Sequence, residues 1–173
     1  MKVLYLLRHA KSSWDDPDLP DRDRPLAPRG KRAVRTVAEH LEREHIRPGL
    51  VLCSPARRAR ETLQPLRRVL PKSTEVRFEA ELYAAAATDL MRRLRLVPDE
   101  VLSVMLVGHN PGLEDLGVML ARPSAKRDLL AAKFPTGAMV ALDLDVGRWH
   151  DLGERPGETP GEVTLLFLPR ELG

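Results

Sequence analysis

The chain has one cysteine in 173 residues, so no internal disulfide can form, which excludes the small disulfide-stapled folds of secreted proteins. Cys53 sits in an apolar stretch and is expected to pack rather than react. Aromatic residues make up only 4% of the sequence, too few to interleave with the basic clusters Arg67-Arg68 and Arg92-Arg93-Arg95 as base-stacking platforms. Those clusters read as solvated helix faces with acids nearby. Charge of either sign is scarcely in excess, with 28 Lys and Arg against 25 Asp and Glu for a net +3, well short of a nucleic-acid signature. Long hydrophobic runs are also missing: the first one is broken by Arg8 before it could span a membrane or serve as a leader. The expectation is a cytoplasmic protein without membrane or nucleic-acid partners. Neither an internal repeat nor a shift in composition divides the chain, and residues 1–173 read as one domain.

What is present is a recurring pattern. Val3-Leu4-Tyr5-Leu6-Leu7 is a short uninterrupted apolar run, suited to a strand buried on both faces of a parallel sheet. It ends in Arg8, His9 and, after Ala10, Lys11. A second run, Leu50-Val51-Leu52-Cys53, is followed by Ser54-Pro55, which predicts a helix with Ser54 as N-cap and Pro55 as first residue, and Arg57, Arg58 and Arg60 fall in its first turns. A third run, 101–107, ends in Gly108-His109-Asn110-Pro111, with Asn110 placed as N-cap. Ligands of open α/β sheets bind at the carboxyl ends of strands, and helix N-termini favour anions. Cations and imidazoles delivered to three such ends read as a phosphate pocket.

The remaining pattern supports this architecture. Helical spacing is expected over 28–45, 55–70, 88–96 and 111–120, with a helical turn within 121–133, and a short strand over 74–78. Residues 138–144 and 163–168 read as an antiparallel pair joined by a glycine-bearing connection. The predicted fold is α/β, a three-layer sandwich with a mostly parallel central sheet, helices on both faces and a C-terminal hairpin. His40 and His45 are expected on the surface. The Asp-rich loop 11–25 after the first strand contains Trp14, which would either wall the site or anchor the loop.

Four segments in order carry a family likeness: Leu7-Arg8-His9-Ala10-Lys11-Ser12-Ser13-Trp14, Asp23-Arg24-Pro25-Leu26-Ala27-Pro28-Arg29-Gly30, Ser54-Pro55-Ala56-Arg57-Arg58-Ala59-Arg60-Glu61-Thr62 and Val107-Gly108-His109-Asn110-Pro111. Together they resemble the histidine phosphatase superfamily, and within it the short bacterial branch typified by SixA phosphohistidine phosphatases. Ala10 where the wider superfamily has glycine, and Lys11 where mutase-type members carry an acid, point to the same branch. The resemblance implies that His9 is a nucleophile forming a phosphohistidine, that Arg8, Arg58 and His109 hold the phosphoryl group, and that Asn110 and Lys11 lie beside it. Glu81 is placed where the superfamily often has an acidic proton donor, and Thr136 in a segment, 134–137, that closes the pocket. No cofactor or metal is implied. The expected partner is a protein bearing phosphohistidine, or alternatively a small phosphate ester. A metal site built from His9, His109 and an aspartate of 15–23 conflicts with two arginines at the same place, and a non-catalytic phosphate- or RNA-binding module would have no need of a nucleophile.

Overall fold

The computed structural model describes residues 1–153 and 157–169. Its centre is a six-stranded sheet whose strands are β1 (Lys2–Arg8), β2 (Leu50–Cys53), β3 (Glu75–Phe78), β4 (Ser103–Gly108), β5 (Met139–Leu144) and β6 (Gly161–Phe167). They lie in the order β3-β2-β4-β1-β5-β6. The pairings β3·β2, β2·β4 and β4·β1 are parallel, whereas β5 runs antiparallel to both β1 and β6. The mostly parallel sheet with a C-terminal hairpin is therefore as expected.

Alternation along each strand divides the core in two. Leu4, Leu6, Leu50, Leu52, Val104 and Leu106 pack with Leu90, Met91 and Leu94 of α3 (Ala87–Arg95), Leu113, Leu116 and Leu120 of α4 (Gly112–Leu120) and Leu130 of α5 (Ala125–Ala132). Their neighbours in sequence, Leu7, Val51, Cys53, Met105 and Val107, face the other way. They meet Val34, Val37 and Leu41 of α1 (Pro28–Arg43) and Ala59, Leu63 and Leu66 of α2 (Arg57–Leu66). A strand covered on both sides has no polar face to show, which is why these runs read as continuous in sequence.

Several expectations about local structure are corrected. His40 is buried, because it falls three residues after Val37 on the inward stripe of α1, and its ring lies 4.1 Å from that of Phe167. Its Nε2 has no hydrogen-bond partner. His45 is exposed. Helix α2 begins at Arg57 rather than Pro55, with Ala56 in the capping position, and ends at Leu66, one residue after Pro65, whose missing N–H weakens the last turn. Helix α4 begins at Gly112 rather than Pro111, although the Asn110 side chain still accepts from the Glu114 N–H at 3.3 Å.

Helix α1 is brought close to the loop after β1 at Gly30, where a Cβ would collide with the Lys11 carbonyl oxygen. That oxygen already accepts from the Ala27 N–H at 2.9 Å, so it cannot move without loss. Gly30→Ala is expected to cost roughly 1–3 kcal/mol, as overpacking does, and to lower the midpoint of thermal or urea unfolding. An unchanged midpoint would mean that the loop yields freely.

Candidate active site

The parallel pair β1·β4 places Arg8 opposite Gly108, and the His9 N–H donates to the Gly108 carbonyl at 3.0 Å. His109 is the next residue along. The two imidazoles therefore leave adjacent strand ends and lie 5.2 Å apart, centroid to centroid. Strand β2, on the far side of β4, delivers Ser54 and the turn into α2, and Arg58 comes from the first turn of that helix. Thr62, one turn later, locks the arrangement: its hydroxyl donates to the Arg58 carbonyl at 2.7 Å and accepts from the Ala10 N–H at 2.9 Å.

Arg8, His9, Lys11, Arg58, His109, Asn110 and Thr136 all line one cavity of about 320 Å³, together with Ser12, Trp14 and Arg24. Glu81 does not line it; it is exposed on the 3₁₀ turn Ala80–Leu82. Larger depressions of about 480 and 670 Å³ run along α1 and α2, lined by residues such as Arg35, Arg60 and Arg67, but neither contains a histidine.

Ring tautomers follow from the partners. The His9 Nδ1 lies 2.7 Å from the Ala10 carbonyl oxygen, which can only accept, so Nδ1 carries the hydrogen and Nε2 keeps its lone pair. At His109, Nδ1 faces an Arg58 Nη2 at 3.4 Å. A guanidinium can only donate, so this nitrogen is the acceptor and Nε2–H donates to the Ser54 hydroxyl at 2.7 Å. Burial, joined by the neighbouring cations, pushes His9 down to about 3 and His109 to about 4. Both rings are neutral at pH 7. The Arg8 guanidinium is also pushed down, by burial first and by Arg58. Its Nη1 donates to the Phe134 carbonyl at 3.0 Å, while its Nε is buried without a partner. The same carbonyl accepts from Asn110 Nδ2 at 2.9 Å, fixing that amide beside Arg8.

Asp21 is the residue that sequence reasoning missed. It stood in the Asp-rich loop as one acid among several. Its backbone oxygen takes Arg58 Nη1 at 2.7 Å and its carboxylate takes Nη2 at 3.0 Å, while the Tyr83 hydroxyl donates to the same carboxylate and Arg24 Nη1 lies 3.2 Å away. The Tyr83 bond, then Arg58 and Arg24, hold Asp21 down at about 2. Ser54, expected as an N-cap, accepts instead from His109 and from the Ala56 N–H at 3.3 Å. Nothing in the local sequence signals these partnerships, which depend on three separate chain segments meeting.

The donor set suits an anion better than a cation. The Asp21 carboxylate is already engaged by Arg58, Arg24 and Tyr83, and the described residues hold no group of three or more His, Cys, Asp or Glu side chains disposed to bind a metal ion.

The profile of histidine phosphatase superfamily branch 1 matches residues 4–92, slightly over half of the chain. The chain belongs to the histidine phosphatase superfamily. Its relatives include an uncharacterized protein of Mycobacterium tuberculosis, 35% identical over 150 residues, covering 84% of this chain and 91% of the relative. A second, from Mycobacterium leprae, is 34% identical over 170 residues, covering 95% of this chain and all of that protein. Among solved structures, a proposed phosphohistidine phosphatase SixA from Nakamurella multipartitia superposes with a TM-score of 0.80 at 30% identity, covering 97% of this chain and 96% of that one. Another from Agrobacterium tumefaciens gives 0.78 at 31%, covering 97% and 98%. Within the superfamily the chain is SixA-like.

A pH dependence follows from the histidines. Their folded values lie below the ordinary 6.5, so the unfolded chain takes up protons first as pH falls, and stability from these groups is lost from about pH 6.5 down to about 4 and 3. Asp21, at about 2 against an ordinary 3.8, adds stability above about pH 4 that disappears as pH drops toward 2. Proton NMR of the histidine Cε1–H resonances should find His9 and His109 neutral at pH 6, with both titrations moved upward by millimolar orthophosphate. Midpoints near 6.5 without phosphate would contradict the burial of these rings.

Proposed function

We propose that this protein is a metal-independent phosphatase that uses His9 as nucleophile and acts in the cytoplasm on phosphohistidine in a partner protein. The observation that carries the reading is the convergence of Arg8, Arg58 and His109 around a histidine whose Nδ1–H is bound to a carbonyl, leaving Nε2 free to attack. In the first step the Nε2 lone pair forms a bond to phosphorus as the bond to the leaving imidazole breaks; that ring, protonated on its other nitrogen, keeps the electron pair and departs neutral, giving a phosphohistidine at residue 9. Arg8 and Arg58 offer planar forks for the equatorial oxygens. His109 takes a proton on Nδ1, the nitrogen not committed to Ser54, and adds a third charged donor. Water then attacks phosphorus, the N–P bond breaks, and orthophosphate leaves with His9 restored. The charge of Arg8 and Arg58 does the work that a metal ion does elsewhere in phosphoryl transfer.

The choice of a phosphorylated protein rests on two features. Among the described residues no carboxylic acid lines the cavity, and an imidazole leaves phosphorus more readily than an alkoxide, so a phosphoramidate places less demand on a general acid. The SixA structures that this chain matches at 30% and 31% identity are those of proposed phosphohistidine phosphatases, which agrees. Structures sharing the fold at 16% identity include a glucosyl-3-phosphoglycerate phosphatase, so the alternative is a small phosphate ester, with Lys11 and Thr136 contacting its remaining groups.

His9→Ala should lower turnover of a phosphohistidine peptide by at least about 10³-fold, and Arg58→Ala by roughly 10²–10³-fold, the usual loss for one fixed donor. EDTA should leave the wild type unaffected. Loss of activity on chelation, restored by zinc or manganese, would overturn metal independence. A kcat/KM far higher for sugar phosphates or nucleotides than for the peptide would overturn the protein substrate and leave the nucleophile standing.

A further inference from the structure

The two tryptophans of this chain live in opposite environments. Trp149 is fully buried and its indole N–H donates to the Val101 carbonyl at 2.7 Å, as a packing residue does. Trp14 borders the active-site cavity and is 72% exposed. Leaving so large an apolar surface in water is unfavourable, and an indole serving only to anchor its loop would be covered.

Trp14 is nonetheless held in place. The Arg24 guanidinium carbon stands 3.2 Å from the indole centroid, covering one face. Arg24 is itself only 6% exposed. Its Nε donates to the Ser13 carbonyl at 3.1 Å, its Nη2 to the Ser12 hydroxyl at 2.6 Å and its Nη1 to Asp21 at 3.2 Å. One ring face is thus braced by a cation that the loop immobilises, and the exposure belongs to the rest of the ring, at the rim of the cavity that holds His9.

We propose that Trp14 is the platform that selects the leaving group, stacking a flat ring attached to phosphorus while the phosphoryl group lies among Arg8, His9, Arg58 and His109. This rests on the phosphatase reading above and deepens it: the favoured substrates are phosphorylated planar rings, N-phosphoryl imidazole and aryl phosphates, over aliphatic esters. The cation behind the indole sharpens the choice. With a guanidinium on one face, the quadrupole has less attraction to give a second cation on the other, so an aliphatic ammonium gains little there, whereas a neutral ring keeps its stacking contact.

The test measures kcat/KM for the wild type, Trp14→Ala and Trp14→Phe on a phosphohistidine peptide, p-nitrophenyl phosphate and a phosphoserine peptide of the same flanking sequence. Trp14→Ala should lose roughly 3- to 12-fold on the first two, as removal of one aromatic pair does, and less than about twofold on phosphoserine. Trp14→Phe should recover most of the loss, and inhibition by orthophosphate should be unchanged in both variants. An equal loss on all three substrates would make Trp14 a loop anchor, and no loss on any would remove it from recognition; either result overturns the platform. A wild type no more active than His9→Ala on every substrate would sink the catalytic reading instead. The platform is then decided by calorimetry: the wild type should bind phenylphosphonate more tightly than methylphosphonate, Trp14→Ala should not, and equal affinities in the wild type would overturn it.

Discussion

Everything at the site depends on one rung of the sheet, the parallel pairing of Arg8 with Gly108 at the end of β1 and β4. Backbone hydrogen bonds set that register, and the last of them joins the His9 N–H to the Gly108 carbonyl. Each strand then releases its next side chain at the same height, so the imidazoles of His9 and His109 meet without help from either loop. On the opposite side of β1, the Gly137 N–H bonds to the carbonyls of both Arg8 and His9, which brings Thr136 and the Phe134 carbonyl up against the same place. A slip of one residue between β1 and β4 would exchange the two buried faces of β1 and carry His9 out of line with His109. The two-sided apolar packing of these strands makes such a slip costly, so the stability of the core and the precision of the site are the same property.

Charge at this edge is arranged to be unbalanced until an anion arrives. Arg8 and Arg58 are always charged, the imidazoles are held neutral, and Asp21 is the carboxylate bound to Arg58. Half of the Asp21 side chain is exposed, so its attraction to Arg58 is screened by water and is worth little in stability. Its position on the loop after β1 matters more. Through Arg24 and Tyr83 it connects the rim of the pocket to its floor, so Arg58 keeps a fixed orientation that an oxyanion can use.

The fold was legible because β1, β2 and β4 are buried on both faces, a condition that leaves an unmistakable apolar run, and because polar residues follow each of these runs. The residues brought together at the strand ends were legible for the same reason: His9 and His109 lie one residue beyond their strands, and Arg58 lies at a fixed helical distance from Ser54. What could not be read are contacts made between loops. Asp21 has no periodic context, Ser54 signals an N-cap in sequence but turns its hydroxyl to His109, and Glu81 occupies an exposed turn outside the cavity despite its position along the chain. His40 reads as a surface residue by polarity alone, yet its place on the inward stripe of α1 buries it against Phe167.

Cys53 ends β2 immediately before Ser54, two side chains from the chemistry, and its Sγ–H donates to the Ser54 carbonyl at 3.3 Å. Burial pushes this thiol up to about 12. Oxidants and alkylating agents attack the thiolate, which at neutral pH is present at only about one part in 10⁵ for such a group. With the chain's one thiol kept protonated inside the sheet and imidazoles rather than a thiolate lining the cavity, no reactive cysteine stands where peroxide could attack. Oxidants that silence phosphatases dependent on a cysteine would find no such thiolate here.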